Sequence, residues 1–145
     1  MYEKYPIVLA TAAFIVNNTY ELLVVKKSKN EQIDPGLWVV PGGKVLPEEP
    51  IVISLRREVL EETGLEVSSY KWIGEDVFIS SDRYFHAQHF MCTVKTTKPI
   101  VLEAKLESYA WITKEDLNKY AMPDNLNNRV LEIYSGTHKF CNSCH

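Results

Sequence analysis

Three glutamates stand at positions 58, 61 and 62, a spacing of i, i+3 and i+4. On a helix this spacing sets three carboxylates side by side on one face. Like charges so placed destabilise a bare helix by a few tenths of a kcal/mol, roughly 0.2–0.5 per pair. A chain that keeps them has a use for concentrated negative charge, and the simplest use is a hard cation held through oxygen. The rival reading is a solvated acidic face, and the flanking residues decide between the two. Residues 43–65 read GKVLPEEPIVISLRREVLEETGL: Gly43, five residues, Glu49, seven residues, Arg57-Glu58-Val59, one residue, Glu61-Glu62, one residue, Gly64-Leu65. From average residue usage, this combination arises by chance on the order of once in 10⁷ chains of this size.

The window resembles the signature of the Nudix hydrolases at every position of that motif. The resemblance implies an α/β protein, an α/β/α sandwich with a mixed β-sheet, that cleaves a nucleoside diphosphate linked to another moiety. It implies that Glu58, Glu61 and Glu62 bind metal, with the Gly42 carbonyl completing the shell. Magnesium is the expected ion and manganese its substitute. Glu58 is favoured for orienting or deprotonating the attacking water, although some relatives use a loop glutamate. Attack on a pyrophosphate phosphorus is opposed by its negative oxygens, and a divalent cation neutralises them and acidifies bound water. Arg57 and Glu49 look like a pair that braces the helix against the glycine loop, and such partners tune metal affinity by about 10–100-fold. The alternative for Arg57 is an ordinary surface pairing with Glu61 at i+4. Many relatives carry Ser or Thr after the first glutamate. This chain has Pro50, which shifts the helix cap without removing activity.

Substrate identity rests on weaker signals. Lys26 and Lys27 end a strand where relatives carry a phosphate-contacting base, and alternation sends one of them to the cleft. Trp38, Tyr84, Phe85, His86 and His89 are candidates for stacking on a base or for packing the sheet. Asn125, Asn127 and Asn128 follow a Pro123-Asp124 turn similar to the place where MutT-like triphosphatases read a base. The rival role for Asn125 is a helix N-cap. Glu107, narrowly ahead of Glu103, is expected as a further metal-binding or base glutamate. The expected substrate is a nucleoside or deoxynucleoside triphosphate, cut to the monophosphate and pyrophosphate. The alternatives are an ADP-sugar or other nucleotide sugar, and a Nudix-fold nucleotide-binding module without catalysis. Ser80-Ser81 stand where ADP-ribose hydrolases often carry proline.

These residues need a scaffold. With 145 residues and 46% hydrophobic content, the chain is expected to form one domain spanning 1–145 with a proper core. A net charge of −3 supplies no basic field, so no stable nucleic-acid complex is expected. No apolar run reaches the roughly 18–20 residues of a membrane span. Three cysteines make no disulfide framework, which points to the cytoplasm. Cys92 reads as a small buried hydrophobe. His138, Cys141, Cys144 and His145 offer soft ligands at short spacing, but zinc sites usually draw on two separated knuckles, so a frayed or docked terminus is the better reading. A homodimer is compatible with the resemblance.

Strands are expected at Ile7–Val16 and Glu21–Lys27, joined as a hairpin by Asn17-Asn18-Thr19. Leu37–Val40 is a short strand, broken by Pro41-Gly42-Gly43 and followed by a loop to Glu49. A helix from Pro50 to Gly64 buries Val52, Leu55 and Val59 and turns its carboxylates to a cleft. Two long strands, Glu66–Ile79 and Tyr84–Lys95, flank a Ser80-Ser81-Asp82 turn. Ser108–Ile112, a Thr113-capped helix to Tyr120, and an amphipathic helix over Asn125–Tyr134 complete the chain. The last helix is apolar at Leu126, Val130, Leu131 and Tyr134.

Overall fold

A computed structural model describes residues 6–140. In chain order the elements are β1 (Ile7–Ile15), β2 (Leu22–Lys27), β3 (Trp38–Val39), β4 (Gly42–Lys44), α1 (Ile51–Thr63), β5 (Val67–Ser80), β6 (Arg83–Val94) and β7 (Leu106–Ile112). A 3-10 turn (Lys114–Lys119) and α2 (Asp124–Tyr134) follow.

The organising strand is β1, buried on both faces over Ala12–Ile15. Its alternation explains the layers. Ala13 and Ile15 face Leu55 and Val59 of α1, together with Leu23 and Cys92. Ala12 and Phe14 face Leu126, Val130 and Ile133 of α2, together with Val24 and Ile112. Each helix therefore covers its own apolar cluster, and the α/β fold with a mixed sheet follows. β1 pairs in parallel with β6 and antiparallel with β4, in a four-stranded sheet ordered β4-β1-β6-β5. A second, antiparallel sheet runs β3-β2-β7.

The expected β1–β2 hairpin does not form a ladder. Both edges of β1 are taken by β4 and β6, so β2 leaves after a single Val16–Leu22 bridge and joins the other sheet. The Asn17 turn itself is present, closed by Asn17 N–H to Glu21 O at 3.0 Å. The glycine stretch is also more ordered than a loop: Gly42–Lys44 pair with Ala10–Ala12. The β5–β6 turn is a true two-residue hairpin. Ser81 and Asp82 both have positive φ, 51° and 59°, the conformation that matches strand twist.

Smaller differences have local causes. Pro50 is the residue before the first helical one, not the first itself, and its carbonyl accepts the Ser54 N–H at 3.0 Å. Val52 is only half-buried, whereas Leu55 and Val59 are fully so. The Thr113–Tyr120 segment winds as a 3-10 turn, and the Asp116 carboxylate accepts from the Thr113 hydroxyl at 3.0 Å. In α2, Ile133 is buried and Leu131 is exposed. Cys92 is fully buried, as its strand position suggested. His138 pairs with Glu132 at 3.0 Å, and Cys141, Cys144 and His145 lie outside the described residues. Among the described residues no helix is long and apolar enough to cross a membrane.

Candidate active site

The site begins where β4 lies against α1. The helix stops at Gly64, whose φ of 76° lets its N–H close on Leu60 O at 2.9 Å. Glu58 and Glu62, one turn apart, are both buried. The Gly42 N–H donates to Glu62 Oε2 at 2.7 Å, tying strand to helix. A side chain on either glycine would force a neighbour to shift. A Cβ on Gly42 would lie 2.1 Å from the Thr11 carbonyl oxygen, and one on Gly43 would lie 2.6 Å from the Glu58 carboxylate.

Burial pushes the Glu62 carboxyl up to about 8, against the opposing pull of the Gly42 N–H and Lys105. Glu58 is also raised by burial, although Arg57 opposes it. Glu61 is exposed and accepts from Arg57 Nη1 at 3.1 Å. Arg57 grips Glu49 with two bonds, Nε to Oε2 at 2.7 Å and Nη2 to Oε1 at 2.9 Å. It also donates to Glu58 Oε1 at 3.0 Å and to the Lys44 carbonyl at 3.2 Å. This grip holds the Glu49 carboxyl down at about 2. Both readings of Arg57 are thus realised at once, as a brace on Glu49 and as an i+4 partner of Glu61.

A cavity of about 530 Å³ opens beside this cluster. At one end Glu58 and Glu62 are joined by Lys27 and Lys105. Burial lowers the Lys27 ammonium. For Lys105 burial acts the same way, but Glu62, Glu103 and Glu58 outweigh it and its pKa is raised. The other end is aromatic and polar. Phe78 and Phe85 stack with centroids 5.1 Å apart, and Asn125 donates from its amide to the Asp76 carboxylate beside them. His89 also lines the cavity.

The remaining candidates are scattered. Of the two lysines, Lys27 lines the cavity, while Lys26 faces Glu107 at 3.9 Å away from it. Trp38 packs edge-on against Tyr120 at 4.8 Å and sits at the margin of the core. Tyr84 is not among the lining residues, although its neighbour Phe85 is. Glu103 lies nearer than Glu107: its N–H donates to the Glu62 carbonyl at 3.0 Å and its carboxylate is 3.7 Å from Lys105. Lys105, Asp76 and Phe78 were not singled out from sequence. Lys105 sits in an irregular stretch that carries no motif, and only the fold brings it to α1.

A family model for the NUDIX domain matches residues 6–134. The chain belongs to the Nudix family. Among its relatives, the nucleoside triphosphatase NudI of Enterobacter sp. (strain 638) is 25% identical over 114 residues, covering 72% of this chain and 81% of that protein. The m7GpppN-mRNA hydrolase NUDT17 of Bos taurus is 24% identical over 113 residues, covering 70% of this chain and 37% of that protein. The solved MutT protein from Methanosarcina mazei Go1 matches the fold with a TM-score of 0.77 at 24% identity, over 94% of this chain and 99% of that one.

As a Nudix member the chain is a hydrolase acting on phosphoric anhydride bonds, a chemistry that this family carries out with a divalent metal ion. The residues fit such an ion. Two carboxylates whose pKa values are raised by burial face a cavity, and their oxygens are the donors a hard cation takes. Among the described residues no three acidic, imidazole or thiol groups already converge on one point. When bound, the ion would neutralise phosphate charge and acidify a water. The chain's own contribution is to hold Glu58 and Glu62 in a dry wall and to supply Lys27 and Lys105 as cations beside them.

Proposed function

We propose that this Nudix hydrolase converts a nucleoside or deoxynucleoside triphosphate to its monophosphate and pyrophosphate with magnesium, manganese serving as a substitute. The observation that carries this reading is the two-ended cavity. Carboxylates and lysines stand at one end, and the Phe78–Phe85 pair with the Asp76–Asn125 pair stands at the other. A volume of about 530 Å³ suits a ligand of nucleotide size. The printed activity of NudI, a nucleoside triphosphatase, points the same way.

In this reading Glu58, Glu61, Glu62 and the Gly42 carbonyl hold the metal, and Glu58 orients the attacking water. Arg57 and Glu49 act as positioning residues. Lys27 meets phosphate, Asn125 meets the base, and Glu103, rather than Glu107, is the extra carboxylate within reach. A nucleotide sugar or a capped 5′ end is the second reading, the capped end favoured by the NUDT17 likeness. A panel of NTPs, dNTPs, nucleotide sugars and a cap analogue, assayed with and without inorganic pyrophosphatase, separates them. Triphosphate hydrolysis at the inner anhydride releases phosphate only when pyrophosphatase is added. Two monophosphates from a nucleotide sugar, or one monophosphate and one diphosphate from the cap analogue, with no pyrophosphate from any triphosphate, would replace the first reading with the second.

A further inference from the structure

His89 lies on β6 opposite Ala12 in the parallel pairing with β1, so both side chains project to the same face of the sheet. Ala10, Ala12 and Ala87 are small there and leave the cavity open above the sheet. The imidazole is 1% exposed and tilts against Phe14 with ring centroids 5.0 Å apart. Its Nδ1 is 3.1 Å from Arg129 Nε. A guanidinium only donates, so Nδ1 accepts and the ring proton is on Nε2. Nε2 is buried and has no hydrogen-bond partner among the described residues. A buried donor left unmade costs about 1–3 kcal/mol, so such a group calls for an explanation.

Arg129 is itself fully committed. From α2 it crosses a bulge in β5 between Trp72 and Gly74, where a Cβ on Gly74 would lie 2.5 Å from its guanidinium. There it donates to Ile73 O at 3.2 Å and Glu75 O at 3.4 Å, and to Glu132 Oε2 at 2.7 Å. The bulge, the glycine and the arginine together set one imidazole tautomer in the wall of a ligand cavity.

We infer that His89 is a specificity-determining residue whose Nε2–H donates a hydrogen bond to a keto oxygen of the substrate's base. This rests on the nucleotide reading above and narrows it to bases with a carbonyl acceptor at the buried edge. Lys27 and Lys105 would serve any polyphosphate equally, whereas a single fixed neutral donor accepts a keto oxygen and rejects an amino group or a bare C–H. A keto oxygen at that edge supplies the donor's missing partner where an amino group or C–H does not, and discrimination by such a group is sharper than by shape alone.

Two measurements test it. The first compares KM within triphosphate pairs that differ by one keto oxygen: guanosine against 2-aminopurine riboside, inosine against purine riboside, and uridine against its 4-deoxy analogue. At least one keto member should have a KM about 5–30-fold lower. His89→Phe should erase that preference, and His89→Gln, which keeps an amide donor, should retain much of it. Equal preference in wild type and His89→Phe, or no preference in wild type, would overturn the inference while leaving triphosphate hydrolysis intact. The second is a ¹⁵N-histidine NMR spectrum at pH 7 with titration of the corresponding free nucleosides. A neutral Nε2–H tautomer whose proton moves downfield with the keto nucleosides alone is expected. An Nδ1–H tautomer, or an Nε2–H indifferent to every nucleoside, overturns the inference. This readout stands even if no triphosphate is turned over, in which case only the hydrolytic reading fails.

Discussion

At the scale of single residues, the Arg57 guanidinium is what keeps the acidic cluster from flying apart. Its five contacts reach Glu49, Glu58, Glu61 and the Lys44 carbonyl. A lysine carries the charge but not the fork that spans both Glu49 oxygens. Arg57→Lys should therefore keep the fold and weaken metal activation, raising the magnesium concentration for half-maximal turnover by about 10-fold or more. A titration of turnover against magnesium reads this directly, and an unchanged midpoint would reduce Arg57 to a surface ion pair. Glu62→Gln separates charge from shape. Glutamine can still accept the Gly42 N–H through its carbonyl oxygen, so the β4–α1 tie survives. On the proposed reading a metal-binding carboxylate is lost, and turnover should fall by roughly a hundredfold or more, in the range removed with essential acid–base or ligand groups. Circular dichroism and the urea midpoint should stay close to wild type.

At the scale of elements, the adjoining glycines should fail in different ways. On Gly42 the obstacle to a Cβ is the Thr11 carbonyl, which belongs to the paired strand and cannot step aside. Gly42→Ala should split β4 from β1 and cost about 2 kcal/mol or more in urea unfolding, within the range for overpacking. On Gly43 the obstacle is the Glu58 carboxylate, a side chain that can turn. Gly43→Ala should cost less stability and more activity, seen as a fall in kcat with a modest change in midpoint. The motif made this region legible at the level of residue types: the helix and its Gly64 stop stand where spacing puts them, and the Glu49–Arg57 pair stands where the family resemblance implies it. It did not reveal that the Gly42–Lys44 run is a strand, because glycine is rare in strands and only pairing with β1 makes it one. Nor did Asn17-Asn18-Thr19 say which sheet β2 would enter. That depends on β6, almost seventy residues later, claiming the second edge of β1. Lys105 and Arg129 escaped for the same reason, since their roles exist only after distant elements meet.

At the scale of the whole molecule, the β5–β6 hairpin and α2 are joined through one buried imidazole, and this joint should make stability depend on pH. The His89 pKa is lowered to about 4, first by burial and then by Arg129, with Asp76 and Glu132 opposing weakly. In the unfolded chain the same ring titrates near 6.5 (about the usual value). Between those values the unfolded chain binds a proton that the folded one refuses, so acid favours unfolding. The His89 contribution to stability is whole above about pH 6.5, declines as pH falls through the window, and is lost below about pH 4. Its full size is on the order of 3 kcal/mol. Glu49, held down at about 2 by Arg57, adds its own loss only as pH falls below the ordinary carboxylate range. Glu62, raised to about 8 by burial, acts in the opposite sense over the same interval, so the His89 contribution between pH 6.5 and 5 is read as the difference between wild type and a variant without the imidazole. Urea midpoints of metal-free wild type should fall relative to those of His89→Gln across that interval, because glutamine has no proton to gain. Parallel curves would mean that the ring charges in place and that Arg129 moves off it, and the α2 end of the cavity would then be looser than the packing of Arg129 over Gly74 implies.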